Sequence, residues 1–185
     1  LKEIRYAGLL HDFGKIGVRE NVLVKANKLY PNEIKYVRSR FDFIKKSMEC
    51  KYLEKKLSMV RDNKVDDYHE CFKQIDNELK EELIRLDAYI EGIEKANIPT
   101  ILEDDLFDEL KNISDKVYQD YSGVECNYLT PYEFNLLSIK KGTLDEKERH
   151  EIESHVVHSY EFLKKIPWTK EFENIPDIAH AHHEK

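Results

Sequence analysis

The chain has 185 residues, of which 36% are charged and only six are glycine. This length suits one well-packed domain with an appended element, and the composition favours long solvated helices over a fold rich in β-strands. No run of 18 apolar residues occurs, which argues against a membrane-spanning helix in this segment, and no secretory signal opens the chain.

Charge and cysteine usage narrow the classes of function. Three scattered cysteines without a CxxC spacing favour a reducing compartment, so we predict a cytoplasmic protein. Residues 1–40 carry nine basic and four acidic groups, whereas residues 41–139 carry thirteen and twenty-three. The acidic middle argues against a site for a nucleic-acid polymer, and the basic first segment can hold an anionic ligand. Because the chain does not begin with Met, we interpret it as part of a longer protein.

The first half of the chain has the pattern of three helices. An apolar face over 1–10 predicts the first helix, which ends before the glycines that follow. Pro31 marks the start of the next helix, because proline is tolerated where the amide has no helical acceptor. Ranges 34–59 and 68–96 predict an antiparallel helical hairpin, joined by a polar turn at 61–64.

The second half repeats the signals of helix starts and stops. An amphipathic pattern predicts a helix over 104–118, followed by a turn at Ser122-Gly123. Capping-box sequences begin at Thr130 and at Asp145, and the second predicts a helix that runs through to about 165. A last helix is predicted from about Pro176.

His11-Asp12-Phe13-Gly14-Lys15 is the motif with the clearest chemistry. A His-Asp pair at a helix end can place its imidazole on one metal ion while the carboxylate bridges two. Lys15, about one turn further, can set a fixed positive charge on a phosphate oxygen. The alternative interpretation is a surface His-Asp hydrogen bond beside a glycine turn.

Other histidines can complete such a site. Adjacent helical residues point about 100° apart, so His182 and His183 can serve two neighbouring ions. His155 and His158 lie three apart on one helix, as a pair of ligands would, although a lone helical histidine is more often structural. We set aside His180, which points away from His182, and His69, which lies in an acidic surface segment.

The order of these motifs resembles the HD-GYP domain family. The resemblance covers about half of the chain, at both ends. Its matching segments are 9–18, 23–25, 135–144, Glu148, His155, 163–168 and 178–185. We therefore predict an all-α fold, an HD-superfamily helical bundle with an inserted long antiparallel helical hairpin. Residues 1–40 and 129–185 would form the phosphohydrolase domain, incomplete at both ends, and 41–128 a helical insertion of coiled-coil-like character.

The resemblance implies a metal-dependent phosphodiesterase that hydrolyses cyclic di-GMP, a bacterial second messenger. A metal-bound hydroxide would attack the phosphorus, because bound metal lowers the pKa of water. Two or three divalent ions, iron or manganese, are implied. Asp12 would bridge them as a catalytic residue, and Lys15, the second catalytic residue, would bind the substrate phosphate. The implied metal ligands are His11, Asp12, His155, His182 and His183.

Partners and alternatives follow from the same pattern. A sensory or receiver domain in the parent chain and a homodimer through the hairpin are expected, and the family's Gly-Tyr-Pro signature is expected beyond Lys185. One alternative is another HD-superfamily phosphohydrolase that acts on a different cyclic dinucleotide or on a nucleotide. The other is a catalytically silent helical module for signalling or dimerisation.

Overall fold

The structure is a computed structural model that describes residues 2–62 and 68–181. These residues are mostly helical, with one small sheet of two strands. The all-α prediction is thus confirmed at the coarse level, and the sheet is a correction to it. Within the described ranges, no helix combines the length and the apolar character needed to cross a membrane.

The elements follow one another in a simple order. The helices are α1 (Lys2–Leu10), α2 (Glu20–Leu23), α3 (Pro31–Asp62), α4 (Tyr68–Asn97), α5 (Asp104–Ser114), α6 (Pro131–Leu137), α7 (Glu146–Glu153), α8 (His155–Leu163) and α9 (Ile175–His180). A 3₁₀ helix covers Phe13–Gly17 between α1 and α2. Strands β1 (Val117–Gln119) and β2 (Glu125–Asn127) pair antiparallel, with Tyr118 opposite Cys126.

The chain divides into two compact units. Leu1–Ala26 and Leu144–Lys185 together form one of them, here called the terminal unit. Asn27–Thr143 forms the other, the central unit. These two units are defined by contacts within the structure. The boundaries of the phosphohydrolase domain, predicted at residues 40 and 129 from the family resemblance, stay predictions.

The terminal unit packs α1, α8 and α9 around a small apolar core. Its buried members are Ala7, Leu163, Ile175 and Ala179. The capping box predicted at the start of α7 is present, since Asp145 and Glu148 each accept a backbone N–H from the other. The helix predicted to continue to residue 165 is instead interrupted at Ser154. The Ser154 hydroxyl donates to the Glu151 carbonyl at 2.7 Å, a local bond that competes with regular helix geometry.

The central unit contains the predicted helical hairpin. Helices α3 and α4 run antiparallel, because Arg38 pairs with Glu94 near one end and Lys55 with Glu78 towards the other. Residues 63 and 64 of the predicted turn lie outside the described residues. A continuous apolar core joins the base of this hairpin to α5 and α6 and includes Phe41, Ile93, Leu110, Leu129 and Leu137.

The segment after α5 corrects the sequence prediction. The helix predicted over 104–118 ends at Ser114, and β1 begins at Val117. The turn predicted at Ser122-Gly123 is confirmed: Gly123 has φ +81°, a left-handed conformation that suits glycine. Strands of three residues are too short to show a period of two, so the sequence pattern did not reveal them.

Candidate metal centre

The Asp12 carboxylate is the focus of the candidate site. Lys15 Nζ donates to its Oδ2 at 2.7 Å, and His11 Nε2 lies 3.3 Å from the same oxygen. His155 Nε2, brought from α8, lies 3.4 Å from Oδ1. The structure therefore brings together four predicted residues from the two ends of the chain.

The hydrogen bonds of the two imidazoles determine which nitrogen faces Asp12. His11 Nδ1 contacts the Gly8 carbonyl at 2.8 Å, and His155 Nδ1 contacts the Ile152 carbonyl. A carbonyl only accepts, so each Nδ1 carries a proton and each Nε2 of a neutral ring presents a lone pair. This arrangement, with Nδ1 held by a carbonyl and Nε2 turned inward, is the one that metal-binding histidines use.

The electrostatics around Asp12 favour its ionised form. The hydrogen bond from Lys15 lowers the pKa of Asp12 below its ordinary value, against a smaller opposing effect of burial, and the charges of the neighbouring residues act in the same direction as Lys15. The side chains of Asp12 and Lys15 are 40% and 43% exposed. An anionic carboxylate and a cationic ammonium are thus both accessible to a ligand.

A close approach between the 3₁₀ helix and α8 makes this geometry possible. A Cβ at Gly14 would lie 2.0 Å from the His155 carbonyl oxygen, so no other residue fits there without a shift of the backbone. The Gly14 N–H donates to Ser159 Oγ at 2.7 Å, and Ser159 Oγ donates to the His11 carbonyl at 2.7 Å. Phe13 also stacks on Phe162, with ring centroids 4.2 Å apart.

Two ion pairs attach the segment after the 3₁₀ helix to α7. Lys25 Nζ lies 2.7 Å from Glu148 Oε2, with side-chain exposures of only 1% and 7%. Arg19 binds Glu151 through its guanidinium and its backbone N–H. The hydrogen bonds from Arg19 lower the pKa of Glu151 to about 2. Since α7 leads directly into α8, these pairs help to hold the segment after Asp12 beside the helix that carries His155.

Three other histidines among the described residues have different surroundings. His158 is exposed and lies near Gly17, and His69 is exposed on α4. His180 packs its ring against Tyr160, with centroids 4.7 Å apart. The predicted ligands His182 and His183 lie outside the described residues. Across residues 2–62 and 68–181, no group of three or more His, Cys, Asp or Glu side chains is arranged to hold a metal ion without further ligands.

Sequence reasoning missed Ser159 and did not anticipate what Lys25 and Glu148 contact. Ser159 is fully buried and lies one turn after His155. A small polar residue at that spacing, on the buried face of a helix that carries a candidate ligand, is the signal that would have identified it. The Lys25–Glu148 pair had no such signal, because 123 positions separate its members.

Comparison with known proteins identified no relative of this chain. The chain matches no family model, no curated protein and no solved structure at a significant level.

Proposed function

We propose that this chain is the metal-binding part of a phosphodiesterase of the HD-GYP kind, which hydrolyses cyclic di-GMP. The observation that carries the proposal is the Asp12 carboxylate, which faces the Nε2 atoms of His11 and His155 at 3.3 and 3.4 Å. The resemblance of the motifs over both ends of the chain supplies the reaction and the substrate class. The HD-superfamily bundle is part of the same proposal.

The donor set suits a divalent metal. A carboxylate oxygen and the Nε2 lone pair of a neutral imidazole both accept, so they repel at these distances unless a cation lies between them. A proton on the ring or a metal ion can supply that charge. Imidazole and carboxylate suit iron and manganese, and the family pattern assigns His182 and His183 to the same centre. When bound, the metal would polarise the phosphate and activate water for attack on phosphorus.

The chain's own residues have distinct tasks in this proposal. Asp12 would supply a carboxylate ligand to the metal, held ionised by Lys15. Lys15 would exchange its bond to Asp12 for one to a non-bridging phosphate oxygen, since its ammonium is partly exposed. The carbonyls of Gly8 and Ile152 would keep Nε2 of each histidine as the ligand atom.

Hydrolysis of cyclic di-GMP in the presence of Mn²⁺ or Fe²⁺ tests the proposal. Asp12→Asn keeps the shape of the side chain and removes its charge, so we expect a rate at least about 100-fold below that of the unchanged protein. Lys15→Met should lower the rate by roughly 100- to 1,000-fold, since it removes one donor to the reacting phosphate. Chromatography of the nucleotide products gives both rates.

Exposed histidines provide matched controls. His69→Ala and His158→Ala remove an imidazole without touching Asp12 and should leave the rate unchanged. Equal rates for the unchanged protein and Asp12→Asn would contradict an enzymatic role for this site. Activity on a nucleotide monoester but not on cyclic di-GMP would favour the other HD-superfamily reaction, and metal binding without any hydrolysis would favour a silent module.

We further propose that the hairpin mediates homodimerisation. Leu53, Leu57 and Val60 recur at helical spacing on α3 and are 57%, 69% and 51% exposed. A stripe of large apolar side chains open to water is the kind of surface that a second helix covers. Sedimentation should show a dimer that Leu57→Lys dissociates, whereas Val124→Lys, a change at another exposed apolar position, should not. Identical sedimentation of all three proteins would exclude this interface.

A further inference from the structure

We infer that Ser159 is a positioning residue for the candidate metal centre, an inference that rests on the proposed function. Its hydroxyl bonds the main chain on both sides of Asp12. It donates to the carbonyl of His11, the residue before, and accepts from the N–H of Gly14, two residues after. Both bonds are 2.7 Å long, and the Ser159 side chain is fully buried.

The position of Ser159 on α8 makes these two bonds matter to the site. It lies four residues after His155, which places both side chains on the same helix face one turn apart. One rigid helical turn therefore joins the group that binds the His11-Asp12 backbone to the imidazole that faces Asp12. These two hydrogen bonds are therefore the polar contacts that fix the backbone around Asp12 most directly relative to His155.

Gly14 makes the same contact possible from the other side. Its missing side chain lets the main chain reach α8, where a Cβ would meet the His155 carbonyl at 2.0 Å and the Ser159 backbone nitrogen at 2.6 Å. A hydroxyl is the group required at position 159, because it donates once and accepts at the same time. Alanine would remove the acceptor of the buried Gly14 N–H. It would also remove the Ser159 hydroxyl that donates to the His11 carbonyl.

Mn²⁺ titration of Ser159→Ala tests the inference. Groups that orient metal ligands from behind commonly change metal affinity by about 10- to 100-fold, and we expect a loss in that range with the far-ultraviolet circular dichroism unchanged. Ser154→Ala is the matched control, since its hydroxyl bonds the Glu151 carbonyl, three residues before it in α7. A purely structural role would lower the melting temperature of Ser159→Ala and leave the Mn²⁺ affinity of the folded protein unaltered, which would overturn the inference.

Amide hydrogen exchange on the metal-free protein separates this inference from the proposed function. In the unchanged protein the Gly14 amide should exchange as slowly as the amides of α8. This measurement requires no variant, so it does not depend on whether Ser159→Ala folds. In Ser159→Ala it should exchange at least about 10-fold faster while the α9 amides keep their rates. Rapid exchange at Gly14 in the unchanged protein would overturn the inference. Failure to bind Mn²⁺ or to hydrolyse cyclic di-GMP would overturn the proposed function instead.

Discussion

The terminal and central units differ in the size of their apolar cores. The central unit has a broad apolar core that includes Phe41, Leu110 and Leu137, whereas the terminal unit has a core cluster of only four buried apolar residues in its described part. Polar contacts add to that small core, among them the Ser159 hydroxyl and the Lys25–Glu148 pair. The candidate chemistry lies in the unit with the smaller core, where directional bonds can hold side chains at defined distances.

The two units also share one device. Glu148 in the terminal unit and Glu133 in the central unit each close a capping box and bind a cation from far along the chain. Lys25 and Arg40 are those cations. A helix start is therefore anchored to a remote segment in both units, but only in the terminal unit is the remote segment next to the candidate site.

Removing the cation from the Lys25–Glu148 or the Arg40–Glu133 pair should cause the largest losses of stability. Lys25→Met and Arg40→Met each leave a buried carboxylate without its partner cation, which costs about 3–5 kcal/mol. We expect Lys25→Met to cost more, because its side chain is 1% exposed and that of Arg40 is 17% exposed. Urea unfolding followed by circular dichroism measures the difference, and losses below about 1 kcal/mol for both would show that water solvates these carboxylates.

Matched leucines compare the two cores directly. Leu110 and Leu163 are both fully buried, one in each unit. Leu→Ala costs about 2–5 kcal/mol, depending on how far the surroundings collapse into the cavity. We expect Leu110→Ala near the top of that range and Leu163→Ala nearer the bottom, because Leu163 belongs to the smaller apolar cluster. The reverse order in urea unfolding would mean that the size of the apolar core does not determine the cost of the cavity.

Alanine substitutions at two glycines of the terminal unit should change its stability in opposite directions. Gly14→Ala forces a Cβ against α8 and should destabilise the protein by about 1–3 kcal/mol or more. Gly8→Ala places a methyl group in open space within α1 and should stabilise it by roughly 0.5–1 kcal/mol. Thermal unfolding of both variants gives the two signs, and a neutral Gly14→Ala would mean that α8 moves easily.

The smallest expected effect is the pH dependence of the central unit. Burial alone would raise the pKa of Glu133, but hydrogen bonds from Arg40 and from the Thr130 N–H outweigh it and hold the pKa below its ordinary value. Stability from this group is therefore present above the unfolded pKa and is lost as the pH falls through the folded value. Glu133→Gln should flatten the acid limb of a plot of unfolding free energy against pH. An unchanged limb would exclude Glu133 as its source.

Much of the local structure was predictable from the sequence, whereas the central feature of the site was not. The hairpin of α3 and α4 and both capping boxes depend on spacings of three and four residues, which the sequence displays. The contact between Asp12 and His155 is different, because predicting a ligand on each of two distant segments does not show that the two segments meet. The motif resemblance suggested that they would, and the structure gives the distances.

By itself, the sequence determined the helical character of the chain, the helix starts at Thr130 and Asp145, and the His11-Asp12 motif with Lys15 one turn away. Each of these follows from residues a few positions apart, where backbone geometry leaves few options. Tertiary structure alone decided that Ser159 holds the chain around Asp12 and that Lys25 finds Glu148. Those contacts join segments more than a hundred residues apart, and only the packing of whole helices brings them within hydrogen-bond distance.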